Sequence, residues 1–212
     1  MDTRKSLQKY LEELSSNSPT PGGGNVAALC GALSASLGTM VCNLTIGKKK
    51  YLEVEKEMNE LKEKLNVYTA KFISLAKNDN EAFERVMDAF KLPKETDEQK
   101  KLRTEAIEKS TFEAASVPAE VIKNCREVIP FLETISKKGN QSSLSDAGVA
   151  IAVIAGASEG AFLNVLINYS SLCEKQKAAE LLMHAENLNN EVKEEAQYLL
   201  AEISGKIRGV KN

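Results

Sequence analysis

From Met58 to Val86 the sequence reads MNELKEKLNVYTAKFISLAKNDNEAFERV, and its apolar residues recur at alternating spacings of three and four. Met58, Leu61, Leu65, Tyr68, Phe72 and Leu75 lie on one line, and Ala82 and Val86 resume it further on. Such spacing is one face of a helix packed against other helices. The position between Leu75 and Ala82 on that line is Asp79, a carboxylate where a leucine is expected. A carboxylate on a packed face is desolvated unless a partner meets it or the wall opens into a cleft. Desolvation raises a carboxyl's pKa and can make it a base that works near neutral pH. The other reading of Asp79 is a buried acid satisfied by a lysine or a backbone amide.

Outward from this helix the chain reads as helical throughout. The long helix spans about Leu52–Phe90. A first helix is expected over Thr3–Ser15 with Leu7, Leu11 and Leu14 on one face, followed by the breaker Ser18-Pro19-Thr20-Pro21-Gly22-Gly23-Gly24. A second, Asn25–Ile46, is apolar nearly all round and rich in small residues. Leu92-Pro93 ends the third, and Thr96 followed by Asp97 and Glu98 starts a fourth that runs to Ile129. Pro118 predicts a kink or break at Val117-Pro118. Pro130 and a polar loop through Lys137–Ser143 follow. A fifth helix, Ser145–Tyr169, is again apolar all round, and a sixth, Glu174–Ile207, carries a seam of Leu181, Ala185, Leu188, Val192, Leu199 and Ile203. No window alternates with period two. The expectation is an all-α fold, a single bundle of about six helices in one domain over residues 1–212.

Composition narrows the function. Lys plus Arg number 28 and Asp plus Glu 30, so no basic excess invites nucleic acid. Aromatics make up 5% and tryptophan is absent, which disfavours base-stacking platforms. The four cysteines, Cys30, Cys42, Cys125 and Cys173, share no CxxC spacing, and His184 is the only histidine. A zinc site or a Cys–His pair is therefore not expected, and the cysteines read as small buried hydrophobes in a reducing cytoplasm. The first twenty residues hold no apolar signal region. The second and fifth helices have the length of membrane spans, but Ser34, Ser36, Thr39 and Asn43 in one and Glu159, Asn164 and Asn168 in the other argue for the centre of a bundle or a dimer interface. No membrane association is expected.

Three constellations could carry chemistry. Gly22, Gly23 and Gly24 directly precede the second helix, where close backbone approach and free amides suit an anionic or electron-rich ligand. Gly47-Lys48-Lys49-Lys50-Tyr51 follows the end of the same helix. Its lysines either complement the helix dipole or hold a polyanion. No Walker pattern is present. Ser145 or Asp146 can cap the fifth helix, on which Gly160, Asn164 and Asn168 form a polar strip at spacing four. Those asparagines either hydrogen-bond a heterocycle or satisfy neighbouring helices.

Taken in order, Pro19-Thr20-Pro21-Gly22-Gly23-Gly24-Asn25-Val26-Ala27-Ala28, Met40–Tyr51, Asp79-Asn80-Glu81-Ala82-Phe83, Val117-Pro118, Ser145-Asp146-Ala147-Gly148-Val149 and Asn164–Asn168 resemble the cyclodeaminase/cyclohydrolase family of folate enzymes. Asn25 stands where Ser or Ala is common in that family. The resemblance implies an all-helical homodimer with a folate site near the subunit interface and a carboxylate base at Asp79. It assigns the acidic folate tail to Lys48, Lys49 and Lys50. It assigns the pterin and reacting centre to Asn164, Asn168 and Asp146, with Gly22, Gly23, Gly24, Asn25 and Tyr51 also at the substrate. It implies a tetrahydrofolate derivative as substrate, no cofactor and no metal. The expected activity is methenyltetrahydrofolate cyclohydrolase. The alternative is formiminotetrahydrofolate cyclodeaminase, and a non-catalytic helical folate-binding or interaction protein is more remote.

Overall fold

The computed structural model describes residues 6–173 and 175–209. They form six α-helices: α1 (Leu7–Leu14), α2 (Gly23–Thr45), α3 (Glu55–Phe90), α4 (Asp97–Lys138), α5 (Leu144–Ser171) and α6 (Lys175–Ile207). Short 3₁₀ turns at Lys49–Val54 and Gln141–Ser143 lead into α3 and α5. No strand occurs among the described residues. The expected starts of helices one and six, Thr3 and Glu174, lie outside them.

Helices α2 to α5 run alternately up and down around one core, with α6 laid on α4 and α5. The α3 stripe is the reason. Met58, Leu65 and Phe72 on it are completely buried, and Val41, Ile122, Ile129, Leu132, Ile151 and Ile154 close around them from α2, α4 and α5. Glycines let α2 approach that stripe. A methyl group on Gly31 would lie 2.6 Å from the Phe72 ring, and one on Gly38 would lie 2.7 Å from Leu132 and 3.0 Å from Leu65. The antiparallel course of α2 and α5 is fixed at several levels. Ser34 Oγ donates to the Ala150 carbonyl at 2.7 Å, and a methyl on Gly160 would rest 3.5 Å from Ala27.

Helix α4 departs from the expected break. It is continuous through Pro118 and Pro130 to Lys138, 42 residues in all, and Thr96 and Gln99 close a capping box at its start. Proline removes the N–H that would bond the carbonyl four residues back, here that of Ala114. The Asn168 side-chain amide of α5 donates to that carbonyl at 3.3 Å, so the helix passes through the proline with the acceptor satisfied.

Two smaller expectations also change. On α1 the buried residue is Tyr10, while Leu7 and Leu11 are exposed, because the Tyr10 hydroxyl turns inward to a hydrogen bond with Asn25. Of the cysteines, Cys42 and Cys125 are buried, Cys30 is half-buried and Cys173 is exposed; all four are unpaired. Burial pushes the Cys42 thiol up to about 11 and Cys125 higher still, so neither is ionised at neutral pH. Helices α2 and α5 are long and apolar enough to cross a membrane, and both are partly buried within the bundle.

Candidate active site

The site is built where α2 begins. Its N-cap, Gly22, has no side chain to accept from the first-turn amides. An acceptor comes instead from α3: the backbone N–H of Asn25 donates to the Asp79 carboxylate. Gly24 makes room for it. A methyl group there would overlap Asp79 Oδ1 and lie 2.7 Å from Cγ and 3.0 Å from Oδ2. Asp79 is half-buried. Burial pushes its carboxyl above the ordinary range, and the Asn25 amide bond partly opposes that rise.

Asn25 is 0% exposed and its side chain is fully committed within the protein. Its amide donates to the Ala76 carbonyl at 2.6 Å and to Asn80 Oδ1 at 3.3 Å, and it accepts from the Tyr10 hydroxyl at 2.9 Å. Asn25 therefore fixes α1, α2 and α3 relative to one another and aims the backbone amide at Asp79. It presents no side-chain group to a substrate. Tyr10 and Asn80, absent from the sequence-based site, belong to this clamp. A buried hydroxyl that needs a partner was the signal for Tyr10, but the leucine stripe of α1 outweighed it.

The third wall is α5. Asn164 lies against Gly23, where a methyl group would be 3.3 Å from its Nδ2. That Nδ2 donates to the Gly160 carbonyl at 2.8 Å, and Asn168 Nδ2 donates to the carbonyls of Asn164 and Ala114. Both Asn168 N–H groups and one of the two on Asn164 are thus spent inside the protein. Among the described residues no donor meets either Oδ1, so the strip offers a ligand two carbonyl oxygens together with the second N–H of Asn164.

The remaining sequence-based site residues are elsewhere. Lys48, Lys49 and Lys50 are exposed beyond the far end of α2, about 32 Å from Gly24 along the helix. Tyr51 is engaged at that end: its hydroxyl accepts from the Gln141 backbone at 3.0 Å and meets Asn140 Oδ1 at 3.5 Å. Asp146 is in the first turn of α5, about 27 Å along the helix from Asn164. One chain therefore gathers Gly22, Gly23, Gly24, Asn25, Asp79, Asn164 and Asn168 at one end of the bundle, and Lys48, Lys49, Lys50, Tyr51 and Asp146 at the other. A groove of about 640 Å³ beside Thr104, Glu108, Phe112 and Cys173 includes none of these residues. No three His, Cys, Asp or Glu side chains among the described residues come together as metal ligands would.

Residues 6–187 match the formiminotransferase-cyclodeaminase family. The chain is 42% identical to the methenyltetrahydrofolate cyclohydrolase of Methylorubrum extorquens, over 89% of this chain and 90% of that one. It is 31% identical to the formimidoyltransferase-cyclodeaminase of Rattus norvegicus over 95% of this chain, but it spans only 37% of that longer protein. Its fold is similar to the crystal structure of formiminotetrahydrofolate cyclodeaminase from Thermotoga maritima, with a TM-score of 0.80 and 31% identity over 95% of this chain and 98% of that one.

Proposed function

The chain belongs to the formiminotransferase-cyclodeaminase family, and from that premise we propose that it is a methenyltetrahydrofolate cyclohydrolase with Asp79 as its base. The observation that carries the reaction class is a half-buried carboxylate of raised pKa wedged against the amino end of a helix. Hydrolysis of a methenyl bridge needs one positioned base. Asp79 takes a proton from water as its oxygen bonds to the methenyl carbon. One carbon–nitrogen bond then breaks and the freed folate nitrogen takes up a proton, leaving the open-chain formyl compound. Carbonyl oxygens at Asn164 and Asn168 suit a cationic, N–H-rich heterocycle. We place the work in the cytoplasm as a homodimer, with no resident cofactor.

Between the two family reactions, the 42% identity with a cyclohydrolase over nine-tenths of both chains favours hydrolysis. Chain length does not discriminate, since the Thermotoga maritima cyclodeaminase has nearly the same extent. In the competing reaction the second folate nitrogen attacks a formimino carbon and ammonia leaves. The test is turnover of both substrates by purified protein, followed by loss of methenyl absorbance and by release of ammonia. Methenyl hydrolysis should dominate, and Asp79→Asn should lower its kcat by roughly 10²–10⁴-fold. Dominant ammonia release, or an unaffected Asp79→Asn, would reverse the assignment.

A further inference from the structure

Each bond of the clamp at the start of α2 has a direction fixed by chemistry. The Ala76 carbonyl can only accept, so the Asn25 side-chain atom that meets it at 2.6 Å is Nδ2. That leaves Oδ1 facing Tyr10, whose hydroxyl donates to it at 2.9 Å. Burial pushes the Tyr10 phenol up, so the donated proton is in place at neutral pH. Ala76 and Asn80 bound the turn of α3 that carries Asp79. Asn25 therefore grips that turn with its side chain and the carboxylate with its backbone N–H.

Helix α1 enters this arrangement through one side chain. Tyr10 is its buried residue, while Leu7 and Leu11 face outward. The first backbone bond of α2 runs from the Val26 N–H to the Gly22 carbonyl, so the N–H of Asn25 has no helical acceptor to hold it. Its aim depends on where the Asn25 side chain is seated.

We propose that Tyr10 is a positioning residue for Asp79: through Asn25 Oδ1 its hydroxyl holds the Asn25 backbone N–H on the carboxylate, and the docking of α1 is thereby coupled to the reaction. The inference rests on the reading of Asp79 as the base. Without the hydroxyl, Oδ1 becomes a buried acceptor with no donor, and the Asn25 side chain leaves its seat to find one. The backbone N–H moves with it. Its bond to the carboxylate favours the ionised form, so loosening it lets burial raise the Asp79 carboxyl further. The charges on the neighbouring elements are engaged elsewhere. Lys77 and Glu81 flank Asp79 on α3 and pair with each other at 3.3 Å, Arg85 pairs with Glu113 of α4, and Glu159 of α5 pairs with Lys193 of α6. On α2 the Cys30 thiol is pushed up by burial and is neutral, as Tyr10 is.

Tyr10→Phe keeps the ring and deletes the hydroxyl. Two or three backbone N–H bonds hold a carboxyl about 2 pH units low, so the acid limb of kcat/KM should rise by roughly 0.5–1 pH unit. A displacement below about 1 Å at the base should lower kcat on the order of tenfold, with KM little changed. Tyr68→Phe deletes a hydroxyl of α3 that bonds Glu127, and should move neither quantity. In an Asn25→Ala background Tyr10→Phe should add nothing. A Tyr10→Phe enzyme with a lowered melting temperature and the parental acid limb has lost only structure, and that result overturns the inference. An equal shift in Tyr68→Phe, or a further shift on top of Asn25→Ala, overturns it too.

Carbon-13 titration of the Asp79 carboxyl, assigned with Asp79→Asn, reads the same rise without turnover. If neither folate is turned over, the activity assignment fails by itself and the titration still decides whether Tyr10 acts on Asp79. Should Tyr10→Phe not fold, the parental protein supplies the answer. Coupling is reciprocal, so the Asn25 amide and Tyr10 ring resonances should both follow the Asp79 titration. A Tyr10 ring that ignores it overturns the inference.

Discussion

Gly24→Ala places one methyl group against the proposed base and changes nothing else in the chain. The added carbon would lie 2.7 Å from Asp79 Cγ. Carbon pairs settle at about 3.5–4.0 Å, so the carboxylate must retreat by about 1 Å or the start of α2 must move by as much. A displacement of about 1 Å at a reacting group can cost on the order of 10²-fold in rate. We expect kcat for methenyl hydrolysis to fall by about that factor. Helix propensity favours alanine by up to about 1 kcal/mol, while overpacking costs about 1–3 kcal/mol. With the full propensity gain the net cost is about 0–2 kcal/mol, so the melting temperature should drop by no more than about 8 °C, at roughly 2–4 °C per kcal/mol for a chain of this size. Gly23→Ala is the matched control. Its methyl would meet only Asn164 Nδ2 at 3.3 Å, the end of a side chain that needs to yield a few tenths of an ångström. Initial rates and thermal melts on both variants separate chemistry from folding. Gly24→Ala retaining a third or more of parental kcat, or the two variants losing activity equally, would refute Asp79 as the reacting carboxylate.

Three further outcomes follow from the same geometry. Burial holds the Asp79 pKa above its unfolded value, so its contribution to stability is fully present below about pH 4 and is lost as pH rises through the raised pKa; Asp79→Asn should be the more stable protein near neutrality, and the acid limb of kcat/KM should lie above the ordinary carboxylate range in the parent. Asn168→Ala should leave the Ala114 carbonyl without its donor and destabilise by about 1–3 kcal/mol in denaturant melts; a raised KM with unchanged stability would return Asn168 to a substrate role. Phe72→Ala empties a completely buried position beside Gly31 and should cost about 3–5 kcal/mol by urea unfolding, with kcat per folded molecule little changed.

The α3 stripe was legible in the sequence because its side chains are buried by one periodic surface, and periodicity is a local property. Asp79 was legible for the same reason, as an interruption of that period. The continuity of α4 was not, because its relief comes from Asn168, 54 residues further on. The inward turn of Tyr10 depends likewise on Asn25, which is contributed by the next helix. The separation of the lysines from the glycine loop was readable in principle: they flank one helix of 23 residues, whose length keeps them apart. Motif order along a chain conceals this, since residues close in sequence to one helix belong to its two opposite ends.

Gly24, Gly31 and Gly38 stand seven residues apart on α2, and Asp79, Phe72 and Leu65, which fill the space they leave, stand seven apart on α3. The proposed base is thus one tooth of a gear whose other teeth are ordinary core side chains. Its aim is set by phase. One residue inserted between Phe72 and Asp79 would swing the carboxylate about 100° around α3 and out of its notch. Seven inserted in α3 and seven in α2 would bring tooth and notch back into mesh, with a small angular drift. A catalytic group held in this way can be carried along the bundle in whole steps of the gear but not tuned by fractions of one.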